Sequence, residues 1–391
     1  MTRASTGPAD LFPWPSHPHL ARARVDARKG PGERGAMTTT DDLVPLKVSG
    51  PQGLLAVVPT MLGFHPHESV VMLCLHGPRR RVGPVARVDL PPGRDRPLAD
   101  HLAEHARRYA DEVVVISYQS ARRRPPFLDE LLGRLVAAGV DVMDAIVVRD
   151  GRARPALNRA MERAHPGIPI PDADDPQVRA VTAAGALAGR TVLADRDELR
   201  RSIAGPGGNR LAVAERGIDA AAAGQLPDIP PADEIDDAAR DPQAILVLPA
   251  NLHALVEYSL ASFSETGRLD PAIATALAVV VNDVAIRDAM IARAVVEMNR
   301  PWLPMLIAAA GWTPDDQAPQ LCSVLAVVAY RHGDGALAQV AVDRCLAAEP
   351  HHRLAHLLLA IMAAGLHPDE LATLSKAAEP ATDSDPADGG G

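Results

Sequence analysis

The sequence predicts an α/β unit, a mixed sheet with flanking helices, followed by an all-α unit that contains a tetratricopeptide-like helix pair. Three observations carry this expectation. Two continuous apolar runs, 69–75 and 82–90, are separated by a segment containing Gly77 and Pro78, the pattern of a β-hairpin. Amphipathic helix and short buried strand then alternate twice, up to Arg149. Beyond a Pro-rich, acidic stretch at 224–243, almost every segment has helical periodicity.

Taken in order, Ser49, Gly50 and Pro51 before Leu54, Leu55, Val57 and Val58 read as a cap and a short helix that stops at Gly63. The hairpin follows. Leu98, Leu102, Ala106 and Tyr109 share one face of a helix over 97–110, and 113–118 is a short strand. Leu128, Leu131, Leu132 and Leu135 repeat the helix over 125–138, and 140–149 repeats the strand. That succession gives a mixed sheet in two or three layers. Asp150-Gly151 could turn the last strand back, but the stretch to Pro176 is rich in Pro, Asp and Arg and is expected to be irregular. Helices are expected over 176–187 and 195–203, ended by Gly205, Pro206, Gly207 and Gly208.

The second unit is expected to hold helices over 252–263, 271–296, 301–310, 317–331, 335–348 and 353–364. Residues 333–350 and the helix after them, with Leu354, Leu357, Leu358 and Ile361, resemble one tetratricopeptide-like pair in which Ala338 and Ala341 permit close approach. No repeat of that length recurs upstream, which predicts one or two helical hairpins and not an array. The expected boundaries are a disordered extension at 1–42, with Met37 as an alternative start, the α/β unit at 43–210, a Pro/acidic linker at 211–243, the helical unit at 244–370 and a disordered tail at 371–391.

Composition narrows the function classes. The chain has 391 residues, 47% of them apolar, only 3% aromatic, and a net charge of −9. That balance disfavours a general polyanion surface, and nucleic acid is not an expected partner. Arg79, Arg80 and Arg81, and likewise Arg122, Arg123 and Arg124, form local basic runs without interleaved aromatics, and read as solvated loops. Lys29, Lys47 and Lys376 are the only lysines, a bias that with abundant Ala, Gly and Pro suggests GC-rich coding DNA. Cys74, Cys322 and Cys345 are odd in number, lack CxxC spacing and lie in apolar segments, as reduced cysteines of a cytoplasmic protein would. The first 36 residues have no apolar signal core, and no run approaches the ~18 residues a membrane helix needs.

Residues 62–69 read LGFHPHES, followed by VVMLCL and, at 87–91, RVDLP. With SGPQGLLAVVP before them and VNDVAIRDAM and GDGALAQVAVDRCLAAEP after them, in the same order, the chain resembles an uncharacterised actinobacterial family catalogued as domain of unknown function 4192, over 46–368. The pattern is Gly-Phe-His-Pro followed by a small polar residue, here Gly63, Phe64, His65, Pro66 and Ser69. His67 lies outside it. The resemblance implies a fold and no activity or cofactor. Residues 152–158 depart from it by lacking aromatics.

Several residue sets are weighed as chemistry. His65, His67 and Glu68 put three potential ligands within four residues, but a metal site needs convergent ligands from elsewhere, and the favoured reading is that His65 caps or hydrogen-bonds the backbone of a sharp loop fixed by Gly63 and Pro66. His101, Glu104 and His105 match the HxxEH zinc helix, with His105 beside Leu98, Leu102 and Tyr109 and no third ligand identifiable. Arg87 and Asp89 alternate at the end of a strand, as a ligand site at a sheet edge or as an intrastrand ion pair. Gly205 to Gly208 lacks the Lys-Ser/Thr of a phosphate loop. Asp283 and Arg287 read as an i, i+4 salt bridge, and Trp302 and Trp312 as core of the helical unit or an aromatic surface. The leading expectation is a non-catalytic protein that binds a small ligand or a partner, with the helical unit as interaction surface. Its rival is a metal-dependent or other hydrolase using His65 with Arg87 and Asp89, or the helix of His101, Glu104 and His105.

Overall fold

The computed structural model describes residues 23–25, 46–48, 50–187, 192–227, 229, 250–364 and 366, which fall in two compact units, Met1–Glu198 and Leu199–Gly391.

The first unit begins with three-residue strands β1 (Ala23–Val25) and β2 (Leu46–Val48), then α1 (Gly50–Leu62). The expected hairpin is β3 (Ser69–His76) and β4 (Arg81–Asp89). Gly77, at φ 68°, takes the left-handed turn position that a side chain would strain, and its N–H donates to Asp111 Oδ2 at 2.7 Å. Helix α2 (Arg96–Tyr109) starts where Asp95 accepts the Leu98 N–H at 3.0 Å. The chain then forms β5 (Glu112–Tyr118), α3 (Pro126–Ala137) and β6 (Asp141–Arg149). The sheet order is β2-β1-β4-β3-β5, then β6 and two further strands, β7 (Arg152–Pro155) and β8 (Ile168–Pro169). Strand β3 runs against both β4 and β5, whereas β5 and β6 are parallel, so the sheet is mixed as predicted.

One face of the sheet presents Val70, Met72, Cys74, Val113, Val115, Ala145 and Val147 to Leu102 and Ala106 of α2 and to Phe127, Leu128, Leu131 and Leu135 of α3. Each fully buried Val, Leu, Met or Phe among them contributes about 1.5–3 kcal/mol. The alternate residues Val71, Leu73, Leu75, Val114, Ile116 and Ile146 are buried too, which is why these strands read as continuous apolar runs and not as alternating ones.

Two expectations fail in this unit. Residues 151–176 are not simply irregular: Asp150 (φ 52°) and Gly151 (φ 67°) make a tight turn into β7, which pairs antiparallel with β6, and β8 adds to β7. The alternation was hidden because Ala153 and Pro155 face inward while Arg152 and Arg154 replace the usual polar positions. Strand β1 lies inside the extension expected to be disordered; a three-residue strand held by backbone pairing needs no apolar pattern. The remainder of that extension, Met37 included, lies outside the described residues, as do linker residues 230–249 and the tail 371–391.

The chain continues through short helix α4 (Arg159–Ala164), α5 (Pro176–Leu187) and α6 (Arg196–Ser202), within which the boundary between units falls. The elements among the second unit's described residues are all helical: α7 (Asn209–Ala222), α8 (Ala250–Thr266), α9 (Pro271–Val280), α10 (Val284–Val296), α11 (Trp302–Ala310), a 3-10 turn at Asp315–Gln317, α12 (Pro319–Arg331), α13 (Gly335–Ala348) and α14 (Arg353–Ala364). Helix α7 occupies residues assigned by sequence to the linker and packs on α9, with Gly217 set directly against Thr275. The expected single helix over 271–296 is two, because Asp283 accepts the N–H groups of Ala285 (2.8 Å) and Ile286 (3.3 Å) and so starts α10. Arg287 therefore pairs with Asp288 at 2.8 Å and with Gln320 at 3.1 Å, not with Asp283. Helices α12 and α13 form a hairpin in which Ala338 and Ala341 are fully buried, and α14 packs on both.

Two polar networks brace this unit. Glu257 on α8 accepts from Arg293 at 2.5 Å and Arg300 at 2.8 Å, and Glu297 joins both arginines to Trp302 Nε1 (2.9 Å). Arg344 donates to the carbonyls of Ala310 (2.9 Å), Thr313 (2.6 Å) and Ile203, and pairs with Asp315 at 2.9 Å.

Candidate functional site

The reversed direction of β3 decides where the signature segments meet. Its first residue, Ser69, lies at the edge of the sheet where β4, β5 and β6 end, and the loop 63–68 enters there. The outer ends of strands in open α/β sheets are where ligands commonly bind. Ser69 stands directly opposite Asp89 on one side and Tyr118 on the other, and directly opposed residues share a face. One row inward, Arg87 opposes Val71 on that same face.

The structure brings most of the predicted set together here. Arg87 Nη1 lies 2.6 Å from Asp89 Oδ1, and the Arg87 guanidinium stands 5.8 Å from the centroid of the buried Phe64 ring. Asp89 is 71% exposed and also meets Arg196 at 3.4 Å. Gly63, at φ 77°, turns the chain out of α1, and its carbonyl accepts the Leu193 N–H at 2.8 Å. The His65 N–H donates to the Leu193 carbonyl at 3.1 Å, while its imidazole is exposed and Pro66 half-buried. It is the main chain of His65, therefore, that fixes the loop.

Glu68, read from sequence as a potential metal ligand, is a strut instead. Its carboxylate accepts the Ser120 N–H at 2.6 Å and its carbonyl the Leu90 N–H at 2.8 Å, which ties the loop to the ends of both β5 and β4. The Ser120 hydrogen bond holds the Glu68 carboxyl below its ordinary pKa, against the opposing effect of burial.

Two hydroxyls mark the site. The Oγ of Ser69, which is wholly buried, and the OH of Tyr118 are both shielded from solvent and have no hydrogen-bond partner among the described residues. Burial pushes the Tyr118 phenol well above its ordinary pKa. Tyr118 and Arg196 were not singled out by sequence reasoning. The only signal for Tyr118 was its place at the end of a predicted strand, and it becomes informative once β5 is known to lie beside β3.

The other candidates separate from this site. On α2, His101 and Glu104 are exposed, Glu104 pairs with Arg107 at 2.7 Å, and the ring of His105 stacks near Tyr109 at 5.0 Å. Burial, then the neighbouring His101 and Arg108, lower the His105 pKa. Among the described residues no three His, Cys, Asp or Glu side chains converge as a metal site requires. Gly205 packs under Arg344, with the Thr313 carbonyl 3.0 Å from where its Cβ would be, and this close approach accounts for the glycine. Trp302 is fully buried, and the Trp312 ring lies 4.1 Å from the Arg210 guanidinium.

A family model described as Domain of unknown function (DUF4192) matches residues 51–369. The chain belongs to this family. The match spans both units, and it includes all of Gly63, Phe64, His65, Pro66, Ser69, Arg87 and Asp89. No curated protein and no solved structure matches the chain. No helix among the described residues is long and apolar enough to cross a membrane.

Proposed function

We propose that this protein is a non-catalytic, cytoplasmic binding protein whose α/β unit takes a small polar ligand at the sheet edge formed by Ser69, Tyr118, Arg87 and Phe64, and whose helical unit offers a surface to a protein partner. The observation that carries this reading is that Ser69 and Tyr118, paired across β3 and β5, each bury a hydroxyl that has no partner among the described residues. Leaving a buried hydroxyl unsatisfied costs about 1–3 kcal/mol, and a bound oxygen- or nitrogen-bearing group that meets either one removes that cost. Phe64 supplies an apolar wall. Arg87 and Asp89 supply charge of both signs at the rim. The Asp89 carboxylate is held between two guanidiniums, an arrangement that suits positioning more than proton transfer.

Three buried free thiols fit a reducing compartment. The family resemblance and the arginine-rich, lysine-poor composition support an actinobacterial origin.

The test is a ligand-observed NMR screen of the full chain against a library of small polar metabolites, repeated with Ser69→Ala and Tyr118→Phe. Binders that lose affinity in both variants are expected. A library without a single Tyr118-sensitive binder would defeat the reading, as would measured turnover of a compound bound there.

A further inference from the structure

The same edge of the sheet carries an independent feature on its opposite face. In the β6–β7 pair Arg154 opposes Val147, which faces α2 and α3, and Arg149 opposes Arg152, so all three arginines project from that covered face. Neutral carbonyls hold them. Arg149 donates to the Arg122 carbonyl at 2.5 Å, Arg152 to the Gly167 carbonyl at 2.5 Å and Arg154 to the Pro166 carbonyl at 3.3 Å.

The nearby carboxylates are spent or distant. Glu162 is engaged by Arg124 at 2.8 Å, Asp129 by Arg124 and Arg159, and Asp150 sits 3.9 Å from Arg149 in an exposed position. Five guanidiniums against three carboxylates leave an excess of two positive charges in a chain whose net charge is −9. Burial, then repulsion from Arg149 and Arg152, lower the pKa of Arg154. Its Nη1 is buried and has no hydrogen-bond partner among the described residues.

We propose that Arg149, Arg152 and Arg154 form a binding site for a phosphate monoester, with Arg154 Nη1 as its innermost donor. A monoester carries a charge near −2 at neutral pH and three terminal oxygens, which matches both the charge excess and the planar donor forks of arginine. A phosphodiester has one charge and two free oxygens, and fits less well.

The experiment is isothermal titration of the full chain with ribose 5-phosphate, with inorganic phosphate, and with an oligonucleotide lacking terminal phosphates. The expected result is one saturable site for the monoester that weakens as salt rises, with affinity reduced about tenfold or more in Arg154→Gln and in Arg149→Gln. Far-UV circular dichroism checks the folding of each variant, and Arg149→Gln alone decides the matter if Arg154→Gln does not fold. Ser69→Ala and Tyr118→Phe leave this binding unchanged, so this site and the hydroxyl site stand or fall separately. Absence of saturable monoester binding at millimolar concentration, equal affinity in wild type and variants, or tighter binding of the oligonucleotide would overturn the proposal.

Discussion

Replacing Tyr118 by Phe removes one oxygen and keeps the ring. Ordinarily the loss of a buried tyrosine hydroxyl destabilises a protein, because its hydrogen bond is lost at a net cost of about 0.5–1.5 kcal/mol. Here the OH is buried with no partner among the described residues, so ligand-free Tyr118→Phe is expected to be neutral or more stable by up to about 1–2 kcal/mol. Ser69→Ala is expected to behave alike. The two residues stand directly opposite each other in β3 and β5, which makes the double variant informative. Hydroxyls bonded to one another would show as a stabilising coupling energy of about 0.5–3 kcal/mol in the cycle, the range for residues in contact, and no such stabilising coupling is the expected result. Because the chain has two units, a global melt mixes their stabilities, and the suitable assay is hydrogen exchange with mass spectrometry on peptides covering β3 and β5. A loss of 1 kcal/mol or more in either single variant without ligand would show that the hydroxyls are satisfied, and would remove the argument for a ligand site there.

Three further outcomes are expected. Glu257→Gln leaves Arg293 and Arg300 without their buried counter-charge, and urea denaturation followed by fluorescence should show a loss of about 3 kcal/mol; a change under 1 kcal/mol would contradict the network. Burial alone would raise the Glu257 carboxyl, but the hydrogen bonds and charges of Arg300 and Arg293 outweigh it and lower the pKa, so this stabilisation is present above the ordinary glutamate value, about 4.3, and is lost as pH falls through the lower folded one. His352 accepts the Ala355 N–H at 3.2 Å on Nδ1 and contacts Gln320 at 3.1 Å through Nε2, which requires the neutral ring; burial first, with help from Arg287 and against Glu349, lowers its pKa. Its contribution is therefore complete above about pH 6.5 and fades on acidification, and exchange protection of α14 should fall between pH 7.5 and 5 in the wild type but not in His352→Asn. Gly217→Ala drives a methyl group into Thr275 and should cost about 1–3 kcal/mol in the same urea assay; an unchanged midpoint would mean that α7 does not pack tightly on α9.

The elements with strong apolar signals were legible in the sequence. Strands β3 to β6 and helices α1 to α3 fall within one or two residues of their expected positions, because buried Val, Ile and Leu set both their periodicity and their packing. Strand β7 was not legible, since arginines bonded to loop carbonyls stand where strand patterning offers no expectation. The break at Asp283 was missed for a different reason: one aspartate can serve as helix-surface partner or as cap, and the choice depends on the packing of α9 on α7 and α11 and of α10 on α12. Of the site, Phe64, Arg87, Asp89 and Ser69 were recognisable from two motifs. Tyr118 and Arg196 were not, because the neighbour relation between β3 and β5 is a fact of topology and leaves no local mark.

The sheet's two outermost strands carry a last consequence. At one end β2 is three residues long, and at the other β8 is two, the second of them Pro169, which has no amide hydrogen to offer. An exposed strand invites a neighbouring molecule to extend the ladder, yet neither margin here is long enough to template one, and proline blunts one of them. Among the described residues the sheet therefore ends in a short strand on each side: concentrated protein should resist fibril formation through this unit, and Pro169→Val, which restores the missing amide, is the substitution that would weaken that protection.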